Sequence, residues 1–418
     1  MKRIIFGCLM MAAGIVPALA QGGTSSPYSQ YGFGMLSDQS HGASRGMNGV
    51  GIALRNNILV NAQNPASYSS VDSLTMLLDA GVTGQLSQFK EGGVRVNTST
   101  ANFDYAVGSF RAFRNFGIGF GILPFSNIGY EFSSVIHRDE EEGSLTSTFK
   151  GSGGLHQAFL GFGWRVLKPL SIGVNVSYLW GDYSKSVTSS SSTSVKSMNR
   201  TYTAEFQSYK IDLGVQYVQP LSSQDVLTLG ATVGLGHKLG ADAVCTTMNA
   251  SDNTSTPETV SDAFELPMTY GAGISLNHRN QLLVAADVRM QKWGGKSFPT
   301  YQDGNYVSSD QLLRDNMNLA LGVDFVPSLN PYNRNLLSHM HYRAGVGYAT
   351  PYYKINGHDG PKELTVSLGF GLPVGRSMLN VSGQWARRSA TNLITDNTFR
   401  VTVGFTFNER WFAKWKVD

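Results

Sequence analysis

Gly42-Ala43-Ser44-Arg45-Gly46 is a literal G-x-S-x-G string, the pattern that exposes a nucleophilic serine on a strained turn in hydrolases. That chemistry needs a buried parallel strand before the serine and a helix after it. Polar, glycine-rich sequence flanks the string on both sides instead, so no catalytic residue is expected. His156, near the start of a strand, is the histidine that would have to complete a Ser/His pair. The plainer expectation for it is a hydrogen-bonded interior residue. Arg138-Asp139-Glu140-Glu141-Glu142 groups carboxylates of the kind that suit hard cations, yet such a run ordinarily marks a solvated loop tip. His339-Met340-His341 puts two imidazoles on one side of an extended chain. Without a carboxylate or cysteine companion they make no metal site. No cofactor is called for, and no phosphate-cradling loop is present.

The elements that carry these residues are strands. Leu160, Phe162, Trp164 and Val166 share one face, and Phe159, Gly161, Gly163 and Arg165 the other. After a short turn, Ile172, Val174, Val176, Tyr178 and Trp180 oppose Ser171, Gly173, Asn175, Ser177 and Gly181, with Leu179 the exception. A wall with one greasy and one wet face, repeated to the C-terminus, predicts a transmembrane antiparallel β-barrel. About fourteen alternating segments are expected, centred on Leu77, Phe103, Phe120, Phe162, Val176, Leu213, Leu229, Gly271, Val284, Leu321, Val346, Leu368, Val381 and Val403. Short connections alternate with long ones at 126–152, 182–201, 239–263, 292–314 and 349–361, as expected for periplasmic turns and outer loops. The connection at 327–340 is long where that scheme wants a short one. The serine-rich stretch 184–194 is expected to extend a mobile loop.

Composition agrees. The 418 residues include 47 glycines and 11% aromatics but only 15% charged residues, and the formal charge of +4 is dispersed. No basic stripe interleaves with aromatics, which leaves nucleic-acid binding without support. Residues 1–20 read as a cleavable export signal, with Lys2 and Arg3 before an apolar run and Ala18-Leu19-Ala20 at the cleavage site. Cys245 is then the lone mature cysteine, so no internal disulfide is available. Past the signal there is no apolar run of roughly 18 residues, and any span must be built from strands. The expected organisation is a signal (1–20), a plug or hatch inside the lumen (21–72), a barrel (73–408) and a periplasmic tail (409–418). Lys210, Asp212, Asp287, Arg289, Asp324 and Arg400 should face inward, because Arg or Lys facing lipid at mid-depth costs about 2 to 4 kcal/mol.

Ahead of the first strand stand Gly49 and Gly51 in a Gly/Ala-rich stretch, then Asn64-Pro65-Ala66. This arrangement is similar to the N-terminal hatch of the FadL/TodX family, outer-membrane carriers of long-chain fatty acids and other hydrophobic molecules. Ser26-Pro27-Tyr28-Ser29-Gln30-Tyr31-Gly32 resembles the mature start of FadL-like barrels from Bacteroidetes. The resemblance implies a Gram-negative outer-membrane protein that passively carries a hydrophobic small molecule, taking it at the outer loops and releasing it sideways through the wall into the outer-membrane lipids. Gly119, Gly121, Leu123, Pro124 and Phe125, in a strand resembling the family's kinked one, are the candidates for that lateral opening, since proline gives no N–H to a neighbouring strand. The alternative reading is strand termination at the rim. The alternative function is a non-transporting FadL-like barrel, a structural or cargo-receiving subunit of an outer-membrane secretion or assembly complex.

Overall fold

The structure is a computed structural model that describes residues 23–137, 144–191, 197–249, 254–330, 332–333 and 335–411. The export signal, the 138–142 acidic run, residues 192–194 and the tail beyond Trp411 lie outside the described residues.

Fourteen antiparallel strands close a barrel. They are β1 (Met76–Glu91), β2 (Val94–Phe113), β3 (Phe116–His137), β4 (Ser144–Arg165), β5 (Leu170–Ser191), β6 (Ser197–Pro220), β7 (Asp225–Gly234), β8 (Thr269–His278), β9 (Leu282–Gln291), β10 (Asn316–Phe325), β11 (His341–Ala349), β12 (Lys362–Val374), β13 (Ser377–Ser389) and β14 (Thr395–Glu409). Each neighbour in sequence is a neighbour in space, and β14 returns to β1 in register from Met76↔Glu409 to Lys90↔Thr395. Closure pairs every strand with two neighbours, although the β2–β3 ladder covers only part of its length, and paired edges are the condition for sheet to span a bilayer. Every expected centre falls on a different strand.

The two faces meet different surroundings. Leu160, Trp164, Val176, Tyr178, Leu213, Leu229, Leu321, Val346 and Val403 are exposed on the outer wall, whereas Phe159, Asn175, Ser177, Asp287, Asp324 and Thr402 are buried inside. Leu179 breaks the alternation because the lumen is not wet at its level. It is fully buried in an aromatic cluster near the long-loop rim.

Two expected loops are strand instead. The β3–β4 ladder continues to His137↔Ser144, and β5 pairs β6 out to Ser190↔Ser197, so the serine-rich stretch is wall as far as Ser191. The greasy alternation lapses there, Ser and Thr standing where Val and Leu stand lower on the wall. A further hairpin, Ala243–Asn249 with Thr254–Val260, pairs onto β6 and raises this side of the wall.

The lipid face sets one prediction. Val176 is 47% exposed and faces outward, so Val176→Arg should cost about 2 to 4 kcal/mol at mid-depth and reduce the membrane-inserted, heat-modifiable form in electrophoresis. Insertion at the wild-type level would show that this face does not meet lipid.

Candidate functional site

Much of the segment 23–71 is buried against the inward faces of the wall strands, and the geometry of that union defines the candidate site. Asn64 caps the short helix Pro65–Ser70: its Oδ1 accepts from the Ala66 N–H at 3.2 Å. Its Nδ2 donates to the carbonyls of Ile52 (2.8 Å) and, on β6, Val215 (3.1 Å). Pro65 and Ala66 lie flat against β4 and β5, where a Cβ on Gly173 would come within 2.4 Å of the Pro65 carbonyl carbon. Only a wall without side chains admits the segment so close.

Gly49 and Gly51 meet two of the expected lumen charges. The Asp287 carboxylate on β9 accepts the backbone N–H groups of Gly51 (2.6 Å) and Ile52 (2.9 Å). Arg289, two residues on, donates to the Gly49 carbonyl at 2.9 Å and to the Gln63 side chain. Residues more than two hundred positions apart thus form one clamp, with the carboxylate on donors and the guanidinium on acceptors.

The other charges also face inward. Lys210 pairs with Asp212 on the same strand. Asp324 receives Arg343 at 3.0 Å and His341 at 2.9 Å, and Arg343 reaches Asn380 at 2.7 Å. Arg400 donates to the side-chain oxygens of Gln85 and Gln384, both at 2.9 Å.

The hydrolase constellation does not assemble. Ser44 sits in a short helix (Ala43–Gly46) inside the barrel, while His156 points outward, its ring 6.0 Å from that of Trp180. The expectation of an interior His156 is therefore corrected: Trp180, its cross-strand partner, is on the greasy face. His339 and His341 also part, His339 reaching the carbonyls of Ser328 (3.1 Å) and Asn333 (2.7 Å) while His341 turns to Asp324.

Sequence reasoning missed the closure of the outer mouth. Phe33 is fully buried, its ring centroid 5.4 to 5.9 Å from those of Phe206, Phe264, Trp293 and Phe298. Lys185 holds the same stretch through the carbonyls of Gln30 (2.9 Å) and Gly32 (2.8 Å). Trp293 and Phe298 come from a connection expected to be an outer loop, and Phe264 directly follows another. The available signal was their aromatic content together with Leu179, the apolar residue on the wet face.

The wall is interrupted at one place. The β2–β3 ladder ends at Ala106↔Ile122, and among the described residues 94–105 has no ladder with β3. Next to that break Pro124 pairs with His156, Ser126 with Leu155, and Phe125 is the bulged residue between them. Gly119 lies against the Tyr68 ring, and Leu123 and Phe125 are buried. The interior segment lines this seam. Met35–Leu36 pairs with Asn127 and Ser126 of β3, the Ser37 N–H donates to the Phe125 carbonyl at 3.0 Å, and Asn102 of β2 donates to the Gly23 carbonyl at 2.6 Å. Behind the seam lies a cavity of about 330 Å³ whose lining includes Asp38, Arg45, Asp104, Arg289, Glu363 and Arg400. Charges of both signs suit water there rather than hydrocarbon.

A closed fourteen-strand antiparallel barrel with an apolar outer face and its N-terminal segment packed against the inner face has the fold of the FadL/TodX barrels. The BamG family model matches residues 1–418, and the chain belongs to that family. Solved structures similar to it include the toluene transporter TbuX of Ralstonia pickettii (15% identity over 88% of this chain and 98% of that one, TM-score 0.60). Others are the toluene transporter TodX of Pseudomonas putida (16%, 90% and 100%, 0.60) and a FadL homologue of Pseudomonas aeruginosa (12%, 90% and 99%, 0.62). At these identities the likeness establishes the fold. No curated protein matches the sequence.

Two predictions follow from the clamp and its surroundings. Asp287→Ala removes the acceptor of two buried N–H groups, a loss of about 2 to 4 kcal/mol. It should make residues 43–63 protease-sensitive in a barrel that still inserts; unchanged protection would refute the clamp. The second concerns His41, which is buried with its Nε2 2.6 Å from the Val60 carbonyl. Burial, the largest cause, pushes its pKa down to about 4. The unfolded chain takes up this proton near pH 6.5 and the folded chain only near 4, so stability is full above 6.5 and falls as the pH drops between those values. His41→Gln should remove on the order of 3 kcal/mol of that acid sensitivity, read as a shallower fall with pH in the midpoint of the heat-modifiable transition. Equal slopes in both proteins would contradict it.

Proposed function

We propose that this chain is a non-transporting barrel of the FadL fold that serves as a structural or cargo-receiving subunit of an outer-membrane secretion or assembly complex. The observation that carries this reading is the Phe33 cluster, in which the apolar side chains of the long-loop mouth pack against one another and against the interior segment. A carrier of hydrophobic molecules needs a ligand-sized apolar cavity continuous with its outer loops. Here the space at the wall seam has a mixed lining, Asp38, Arg45, Arg289 and Arg400 standing beside Leu36, Phe103 and Tyr352, and the more apolar space bordered by Leu123, Phe125 and Phe159 is small, about 150 Å³. A barrel filled in this way offers partners its outer wall, its rims and its loops.

One observation favours a second reading, passive carriage of a long-chain fatty-acid-like molecule with lateral release near Pro124. The β2–β3 ladder stops beside the Pro124 bulge, and the proteins similar to this one in fold include toluene transporters. On that reading Gly119, Gly121, Leu123, Pro124 and Phe125 border the exit, and residues 23–37 would have to move out of the seam before a ligand could pass.

Purification from native membranes in mild detergent, with mass spectrometry of bound lipid and protein, separates the two. Stoichiometric outer-membrane protein partners and no stoichiometric apolar ligand are expected. A partner-free barrel loaded with a fatty acid, whose loss abolishes uptake of that acid, would overturn the first reading in favour of the second.

A further inference from the structure

The outer wall carries a dent that the lipid belt does not explain. Where β4 crosses β5, Gly153, Gly154 and Gly181 have φ of 119°, 146° and 149°, in or close to a region that side-chain-bearing residues rarely adopt. A Cβ on Gly181 would lie 2.1 Å from the Gly154 carbonyl oxygen. The strands approach too closely here for a Cβ, and Gly154 contributes no side chain to the outer face. The result is a groove of about 630 Å³ bordered by Ala158, Tyr178, Trp180, Asp182, Glu205 and Gln207.

The floor of the groove is aromatic, with the Tyr178 and Trp180 rings stacked at 5.7 Å between centroids, as in the belt at a membrane interface. Its upper edge is acidic. Asp182 and Glu205 are direct cross-strand partners on β5 and β6, and both are exposed. Like charges placed directly opposite one another destabilise a sheet. Among the described residues no lysine or arginine pairs with either carboxylate, and His156, outward beside Trp180, is the one basic group that interacts with Asp182. Lys210 and Lys185 on the same strands both face the interior.

We propose that this groove docks a partner outer-membrane protein through a segment that sets an apolar side chain over Trp180 and a lysine or arginine between Asp182 and Glu205. The inference rests on the reading of the chain as a subunit of a complex and names the surface used. Charge decides in favour of protein over lipid, because the phosphates of outer-leaflet headgroups would meet two carboxylates, whereas a basic side chain relieves their repulsion. The aromatic floor adds a cation–π surface for the same side chain.

Carbodiimide crosslinking, which joins carboxylates to lysine amines, tests the assignment on the complex purified from native membranes. An isopeptide bond between Asp182 or Glu205 and a lysine of a second outer-membrane protein is expected, and D182N/E205Q should abolish it. D182K/E205K should lower recovery of that partner about tenfold, equivalent to about 1.4 kcal/mol, while heat-modifiable mobility shows the barrel still folded. Charge reversal of the crosslinked lysine in the partner should restore recovery. Wild-type recovery with folded D182K/E205K, or crosslinks to lipid amines alone, would overturn the groove assignment and leave the subunit reading standing. A wild-type barrel that purifies without any stoichiometric protein removes both.

Discussion

A strand in hydrocarbon has no water to satisfy its N–H and C=O groups, so a membrane-spanning sheet must pair every edge. In this chain that requirement is met by ladders around the circle except along the upper part of β2 and β3, where pairing stops at Ala106↔Ile122. The interior segment supplies part of what the ladder lacks. Met35–Leu36 adds two residues of strand to β3, and the Gly23 carbonyl takes the Asn102 amide from the β2 side. Wall and filling therefore complete one structure, and neither can be understood as a container and its contents.

The same dependence runs down the lumen. Asp287 and Arg289 fix the turn at Gly49 to Ile52, and Asn64 ties the Asn-Pro-Ala corner to β6. At the opposite rim Phe33 anchors the segment in a cluster of rings drawn from the wall strands and the long connections. Apolar surface used for this internal packing is withdrawn from any ligand, in a fold similar to that of toluene transporters. The features left free for recognition are on the outside.

The fold was legible because a barrel in lipid enforces period-two alternation for as long as the strand is in hydrocarbon. That rule placed fourteen centres on fourteen strands and pointed Asp287, Arg289, Asp324 and Arg400 inward. It lost the upper strands at 126–137 and 184–191, where Ser and Thr replace Val and Leu. The clamp at Gly49 and Gly51 was half legible: the glycines stood in a recognisable stretch, and the charges were placed in the lumen, but their meeting depends on a contact between residues 236 positions apart. Phe33 carried no local signal, because a single phenylalanine among glycines becomes a core residue only through four rings contributed by three distant segments. His156 was placed on the wrong side of the wall. Its parity with Ala158 and Leu160 would have put it with the lipid-facing residues.

The account stands on the lumen being filled by a segment as firmly held as the wall itself. Hydrogen exchange of the Gly51 and Ile52 amides in lipid nanodiscs measures this directly. Protection comparable to that of mid-strand amides in β8 and β9 is the expected result, and exchange at the rate of a free loop would contradict the account.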